Sequence, residues 1–412
     1  MVFVFRSQTS ASPTALTPGL LAVLALLSAI APLATDLYLP AFPDMAADLA
    51  TTATGVQLPL TSFLLGVAIG QLLFGPLSDR LGRLVPLLWG ISICVVSSAV
   101  AALAPNIEVL VIARFIQGLS GAAGMVIGRA VIADLATGRS AARAFSVVMM
   151  VGGVAPIVAP LLGSMLLEPF GWRGILWVVA GLALVMLAAT LASVRETHPP
   201  LRRARIRRER ALNGSAARDL RSSGFVGNAI AFAFSFSAMM AYIAASPFVY
   251  QVLIGMDAPA YGVTFGITAL GLLLVSALSA RLTRRFSLRS LLSTGIAVLV
   301  VSSAAVLVCA IVSAPSWTLI VSILVAVASL GLILGNATAL ALDAAPRAAG
   351  TGSAVLGALQ FGVGAIVSPL VGAGGEHTAV PLGVVMLACA VIAAVGLVTS
   401  VLGRRDSRGR SR

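Results

Sequence analysis

The sequence predicts an all-α membrane protein of twelve transmembrane helices, packed as two six-helix bundles around a central cavity, and three observations carry that prediction. Hydrophobic residues fill 59% of the 412 positions and charged residues only 10%, with a mean hydropathy of +1.05, too little charge to coat a soluble globule. Twelve apolar runs can be marked off, each near the length of about 20 residues that crosses a hydrocarbon core. The arginines gather in alternate connecting segments, the pattern left when positive charge is retained on the cytoplasmic side.

In chain order, Met1 to Thr17 is a short polar lead with one charge, Arg6. That charge, the apolar run from Leu20 to Leu33 and Ala29-Ile30-Ala31 imitate a cleaved signal peptide, but Pro32 would follow the cut and the topology needs the span. The first six spans are expected near 18 to 40, 55 to 77, 84 to 104, 107 to 130, 143 to 166 and 172 to 193. The second six are expected near 224 to 249, 259 to 282, 288 to 312, 315 to 340, 350 to 372 and 379 to 402. Between the two sets lies a long charged interruption with Pro199-Pro200, Arg202, Arg203, Arg205, Arg207 and Arg208. The expected domains are therefore 1-195, an N-terminal six-helix bundle; 196-222, a cytoplasmic arginine-rich linker; and 223-412, a C-terminal six-helix bundle with a basic cytoplasmic tail. Equal span counts on either side suggest an internal duplication.

Orientation follows from the loops. With the N-terminus inside, the inner segments hold Arg80 and Arg83, Arg139 and Arg143, the linker, Arg281, Arg284, Arg285 and Arg289, Arg347, and the tail from Arg404. The outer segments hold Asp44, Asp48, Glu108, Glu168, Asp257 and Glu376, with Arg173 the lone outer arginine, so both termini are expected in the cytoplasm. On this reading the net charge of +13 marks topology and contact with membrane lipid headgroups, not a nucleic-acid partner. All the basic residues are arginine, which carries no mechanism.

Several function classes drop out. Cys94, Cys309 and Cys389 fall in separate spans, so neither a disulfide framework nor a metal site is indicated. No GxxxxGK[ST] sequence occurs, which speaks against ATP-driven transport. His198 in the linker and His377 in an outer loop form no cluster with acids or serines of the kind a membrane-embedded enzyme needs, so no catalytic residues are assigned.

The chain is organised around Ala34-Thr35-Asp36-Leu37-Tyr38-Leu39-Pro40, which sets one acid near the outer end of an apolar first helix. A charge inside the hydrocarbon costs about 3 kcal/mol on insertion scales, so Asp36 needs relief by a partner, water or a proton. Arg114 in the fourth span sits at similar depth, and the two are expected to meet. A carboxyl held between a proton and an arginine is a switch, since burial favours the neutral acid and a guanidinium the anion. The alternative is that Asp36 simply caps the helix before a watery loop through Pro43, Asp44 and Asp48; the apolar Leu37, Leu39, Ala41 and Phe42 beyond it favour the first reading.

Between the second and third spans stands Gly75-Pro76-Leu77-Ser78-Asp79-Arg80-Leu81-Gly82-Arg83-Leu84. Gly75 and Gly82 permit close backbone approach and a tight turn, and Asp79 is placed to cap the third helix or pair with inner arginines such as Arg129 and Arg143. This stretch resembles the loop signature of the major facilitator superfamily, G-x-L-[AS]-D-R-x-G-R-[KR], and matches until Leu84, where the family usually has a second base. The resemblance makes Gly75, Asp79, Arg80, Gly82 and Arg83 a conformational gate. In the second half the corresponding loop, 280 to 286, keeps its bases and lacks the acid.

The fourth span carries Arg114, Gln117 and Gly118, then Gly121, Gly124 and Gly128, a smooth strip for helix packing beneath a costly intramembrane arginine. It is similar to the superfamily's R-x-x-Q-G motif, which in proton-coupled members is implicated in proton transfer. The alternative, an Arg114 snorkelling to the outer headgroups, stays open. The fifth span contains Gly152, Gly153, Pro156, Pro160, Gly163 and Ser164, where two prolines four apart bend the helix and free carbonyls. It resembles the antiporter motif G-x-x-x-G-P-x-x-G-G of exporters, with Ala159 and Ser164 in place of two glycines.

With the Thr35 to Pro40 opening, the resemblance narrows to the Bcr/CflA group of drug:proton antiporters, whose first-helix acid is read as a proton or substrate site. It covers the layout of all twelve spans and is specific in the first half. It implies an alternating-access efflux transporter that exports small amphipathic drugs, chloramphenicol- or bicyclomycin-like, for protons. The proton gradient is the energy source, no cofactor or metal is needed, and a monomer is expected. The other reading is a proton-linked importer or exporter of a natural metabolite. Candidate cavity-wall residues are Tyr38, Phe236, Met239, Tyr242, Asn336 and Gln360, where aromatic, thioether and amide groups suit a loosely specified ligand. The glycine-rich eleventh span, Gly350 to Gly364, is expected to let the bundles slide.

Overall fold

The computed structural model describes residues 16–199 and 219–409, and no strand occurs among them. The expectations for Arg6, for the arginine run 202–208 and for the end of the tail lie outside the described residues. The chain runs as α1 (Pro18–Asp36), a 3-10 turn (Leu39–Ala41), a short α2 (Phe42–Asp48), α3 (Ala53–Leu81), α4 (Leu84–Ala102), α5 (Ile107–Leu135) and α6 (Gly138–Ser193). Then follow α7 (Ser223–Pro247) with a π-helical extension (Phe248–Leu253), α8 (Ala258–Leu282), α9 (Leu288–Ile311), α10 (Ser316–Asp343), α11 (Ala349–Val367) with a 3-10 extension (Ser368–Gly372), and α12 (Val380–Gly409).

Among the described residues eleven helices are long and apolar enough to cross a membrane. The twelfth crossing lies inside α6, whose 56 residues break at Gly171 with φ 62° and ψ −179°, a backbone conformation open to glycine at little cost. The expected fifth and sixth spans fall on its two arms, 138–170 and 172–193. Helices prevail because a bilayer offers the backbone no outside partners. Their starts are set locally: Thr17, Thr52, Asn106, Ser222, Asp257 and Ser287 each accept the N–H three residues on.

Within the first half α5 packs on α3 and α4, and α1 on α5 and α6; within the second α7 packs on α10, α11 and α12, and α9 on α10 and α12. The halves meet along two seams, α3 against α11 and the first arm of α6 against α8. Counted as spans these are second with eleventh and fifth with eighth, pairs that interchange when the halves are swapped, as a duplicated ancestor requires. Below, "outer" is the end that the arginine distribution assigns to the outside.

The alternative of a watery loop through Pro43, Asp44 and Asp48 does not hold: α2 buries Phe42 and Met45 completely and leaves Asp44 and Asp48 exposed. Nor do the α5 glycines form one strip for one neighbour. Gly118 lies on the backbone of Phe63 in α3, Gly121 faces Cys94 in α4, and Gly124 and Gly128 face Leu27 and Leu24 in α1. Three helices approach one glycine-studded helix, because Gly118, Gly121 and Gly124 recur every three residues, short of a full turn, and so drift around it.

Candidate functional site

Asp36 is the last residue of α1 and is 3% exposed. Pro40 and Pro43 follow, and neither has an N–H to continue the helix, so the chain turns at the acid. Its Oδ1 accepts from the Thr35 hydroxyl at 2.9 Å, which is also 3.0 Å from the Ala31 carbonyl and 3.1 Å from that of Pro32. The helix therefore ends where a cap would place it, yet inside the protein.

Arg114 on α5 is completely buried, so it does not snorkel. Its Nη2 donates to the Ala34 carbonyl at 2.8 Å and its Nη1 to Gln117 Oε1 at 2.5 Å. Gln117 Nε2 donates to the Ser98 hydroxyl at 2.6 Å, which donates to the Cys94 carbonyl. The guanidinium carbon is 4.5 Å from the ring centres of both Tyr38 and Phe63, which supply cation–π attraction in place of a counter-ion. Arg114 and Asp36 thus share one short segment without forming an ion pair: the arginine holds the backbone two residues before the acid. Arg114 Nε has no hydrogen-bond partner.

The fifth-span motif sits beside this segment. Gly163 lies directly on the Leu37 carbonyl, one residue past the acid, where any Cβ would overlap it. On the other flank Pro160, Leu161 and Ser164 receive Gly262 of α8, Ile157 faces Gly266, and Gly153 faces Leu273. The first arm of α6 is a wedge between the acid-bearing helix and the second half. Pro156 and Pro160 lie inside that arm.

All four tyrosines of the sequence gather on this level. Tyr38 packs on Phe42 at 5.3 Å between ring centres and Phe42 on Phe248 of the second half at 6.3 Å. Tyr242 stacks on Phe265 at 5.4 Å, Tyr261 lies 6.1 Å from Tyr250 and 6.0 Å from Phe265, and Ser246 Oγ is 3.1 Å from the Tyr261 hydroxyl. Below, Phe236 meets Phe361 edge-on at 5.6 Å. Met239 and Gln360 are half-buried. Asn336 ties α10 to α8 inside the second half, donating to Ser279 Oγ at 3.0 Å and to the Leu332 carbonyl at 2.8 Å.

At the inner end, Gly82 ends α3 with φ 98°, the turn expected of it, whereas Gly75 lies inside α3 with no atom close to where a Cβ would stand. Asp79 does not cap the third span. It pairs with Arg83 at 2.8 Å, and Arg83 Nε reaches Asp134 of α5 at 2.9 Å. Burial alone would pull the Arg83 guanidinium down, but the hydrogen bonds and charges of Asp134 and Asp79 hold it above its ordinary value. The start of α4 is capped by Glu196, whose carboxylate accepts from the N–H groups of Arg83 at 2.9 Å and Leu84 at 3.2 Å. Arg129 turns back to the Met125 carbonyl, and Arg80 and Arg143 are exposed. Asp134 and Glu196 escape the sequence reading, although an acid among inner arginines was the signal to follow.

At the outer rim a cavity of about 520 Å³ opens between residues 51–54 and 372–377. Among the described residues no three His, Cys, Asp or Glu side chains come together as metal ligands.

Comparison with known proteins places this geometry. The Major Facilitator Superfamily profile matches residues 24–369. The chain is 39% identical to the uncharacterized MFS-type transporter YdgK of Bacillus subtilis (strain 168) over 376 residues, 90% of this chain and 92% of the relative. It is 30% identical to the bicyclomycin resistance protein homolog of Haemophilus influenzae, covering 94% and 97%. Over a shorter stretch, 40% of this chain and 39% of the relative, it is 41% identical to a chloramphenicol resistance protein of Pseudomonas aeruginosa. Among solved structures the fold matches the POT family transporter PepTSo with a TM-score of 0.74 at 14% identity, covering 95% and 99%. It also matches an inward-facing bacterial homolog to the human lysosomal transporter Spinster, with a TM-score of 0.72 at 15% identity, covering 94% and 98%.

Proposed function

The chain belongs to the Major Facilitator Superfamily, with relatives named for bicyclomycin and chloramphenicol resistance, and from that premise we propose that it exports small amphipathic drugs in exchange for protons. The observation that carries the proposal is Asp36: a buried acid without an ion pair, at the point where α1, the α6 wedge and the aromatic layer of the second half converge.

The mechanism is alternating access. Cargo enters from the cytoplasm or inner leaflet, the bundles 1-195 and 223-412 rock about the α3–α11 and α6–α8 seams, and a proton from outside takes the Asp36 carboxylate as cargo leaves. Ligand and proton compete for one group. Arg114 does not neutralise the acid in this conformation; it fixes the backbone on which the acid is mounted, and a small rotation of α1 would trade the Ala34 carbonyl for the carboxylate. The inner loop around Asp79 and Arg83 serves as the gate at the other end. The driving force is the proton gradient, worth about 2.3 kcal/mol per charge per 100 mV of potential, with no cofactor. The protein works as a monomer in the bacterial cell membrane with both termini cytoplasmic.

Everted vesicles from a drug-sensitive host test this directly. Uptake of a chloramphenicol-like drug should follow an imposed proton gradient and collapse with a protonophore. Gradient-driven movement in the opposite sense, or of a metabolite and of neither a chloramphenicol-like nor a bicyclomycin-like drug, would replace export with the nutrient-transport reading.

A further inference from the structure

The outer end of the chain holds two amides, Gln57 buried and Gln251 half-buried, that the antiport scheme does not use. Pro247 has no N–H, so the Ile243 carbonyl loses its helical partner and takes the Ser246 hydroxyl at 3.0 Å. The next N–H, on Phe248, bonds three residues back to Ala245, and the chain continues as a π-helix to Leu253. The Ala244 carbonyl thereby loses the Phe248 N–H, its regular helical donor. Gln57, on α3 of the first half and 1% exposed, donates to it at 3.0 Å. In the reverse direction Gln251, on the π-helical segment of the second half, donates to the Pro40 carbonyl of the first at 3.0 Å. The Phe42 and Phe248 rings, 6.3 Å apart between centres, meet across the same two halves. A pocket of about 10 Å³ walled by Gln57, Ala245 and Phe248 adjoins the outer-rim cavity, with which it shares Ala53, Gly372 and Gly375.

We propose that Gln57 and Gln251 are a reciprocal outer lock, each amide held by a carbonyl of the opposite half, which keeps the exit shut in this conformation and opens when cargo leaves. The proposal rests on the alternating-access reading but makes its own demand. Neutral hydrogen bonds suit a lock that must open every cycle: the two together bias the closed state by roughly tenfold, whereas a buried ion pair would hold far harder. The irregular end of α7 follows as part of the device, since a regular helix would keep the Ala244 carbonyl for itself. Gly372, whose Cα leaves room for Gln57 Oε1, keeps the first amide in register.

The test is a distance. Spin labels are placed on the exposed rim of each half through A47C and A373C, with Cys94, Cys309 and Cys389 replaced by Ala, and the protein is measured in nanodiscs by double electron–electron resonance. Gln57→Met and Gln251→Met keep volume and remove the donor. The double variant is expected to move the closed-to-open ratio by about tenfold towards the long distance, and each single variant by about threefold. An unchanged distribution in the double variant overturns the lock. Should the double variant fail to elute as one species, Gln251→Met, at a half-buried position, gives the same reading alone. Because the signal is a distance and not a flux, a chain that exported nothing would still show the shift, and export lost without a shift would count against the lock only.

Discussion

The Arg114 guanidinium binds the Ala34 carbonyl at 2.8 Å, two residues short of Asp36, and does not touch the acid. The acid is instead satisfied by its own neighbour, Thr35. In the proposed cycle a small shift of α1 would pass the guanidinium from the backbone to the acid, and the predictions for the two residues test that step.

Asp36→Asn should therefore remove gradient-driven export while leaving the protein in the membrane. The amide keeps the shape and can still receive the Thr35 hydroxyl, but it cannot give up or take a proton. Efflux is expected to fall to the level of the empty vector, at least about tenfold, with membrane abundance unchanged. Unchanged resistance and unchanged gradient-driven efflux would remove Asp36 from the scheme.

Arg114→Lys separates charge from geometry. Lysine retains the positive charge but offers one compact head where arginine spans Gln117 Oε1 and the Ala34 carbonyl together. Efflux should drop about tenfold, and the pH profile of the remaining activity should differ from that of the parent. A profile identical to wild type in both Arg114→Lys and Arg114→Ala would make Arg114 a structural residue.

Much of this site is legible in the sequence because membrane burial makes charge conspicuous. Asp36 and Arg114 stand out as charges in apolar runs, and Gly82 and Gly163 as glycines at fixed offsets in motifs. Gln57, Gln251 and Tyr250 could not be singled out in the same way. A neutral amide or phenol in a span carries no charge penalty that demands a partner, and the two amides bond carbonyls beside the irregular ends of α1 and α7. The same limit explains Asp79. Its motif sets an acid among bases, but Arg83, four residues on, holds Asp79 and Asp134 together through different nitrogens, and only packing selects it over Arg129 or Arg143.

Glu196 opens the linker in sequence, yet its carboxylate caps α4. Glu196→Gln should lower stability by about 1 kcal/mol, the worth of a cap, without disturbing the Asp79–Arg83–Asp134 cluster. Asp134→Asn should cost more, about 1 to 3 kcal/mol, because it leaves the mostly buried Arg83 with a weaker partner. Thermal unfolding in detergent, read on both variants, checks the order; equal losses would place Glu196 inside the ionic cluster.

Two glycines of the same α6 arm give opposite expectations for the same substitution. No atom lies near where a Cβ would stand at Gly152, so Gly152→Ala should gain up to about 1 kcal/mol from the lower backbone entropy of the unfolded chain. At Gly163 the new methyl would strike the Leu37 carbonyl, and neither backbone has room to yield, since α1 is held from its far side by Arg114. Gly163→Ala should then cost about 1 to 3 kcal/mol and displace the residue next to Asp36, so that export suffers beyond the loss of folded protein. The pair is read by thermal unfolding and by efflux normalised to membrane abundance. If Gly163→Ala matched Gly152→Ala in both, the α6 wedge would not press on the acid-bearing helix, and the resemblance of this arm to an antiporter motif would carry no mechanical meaning here.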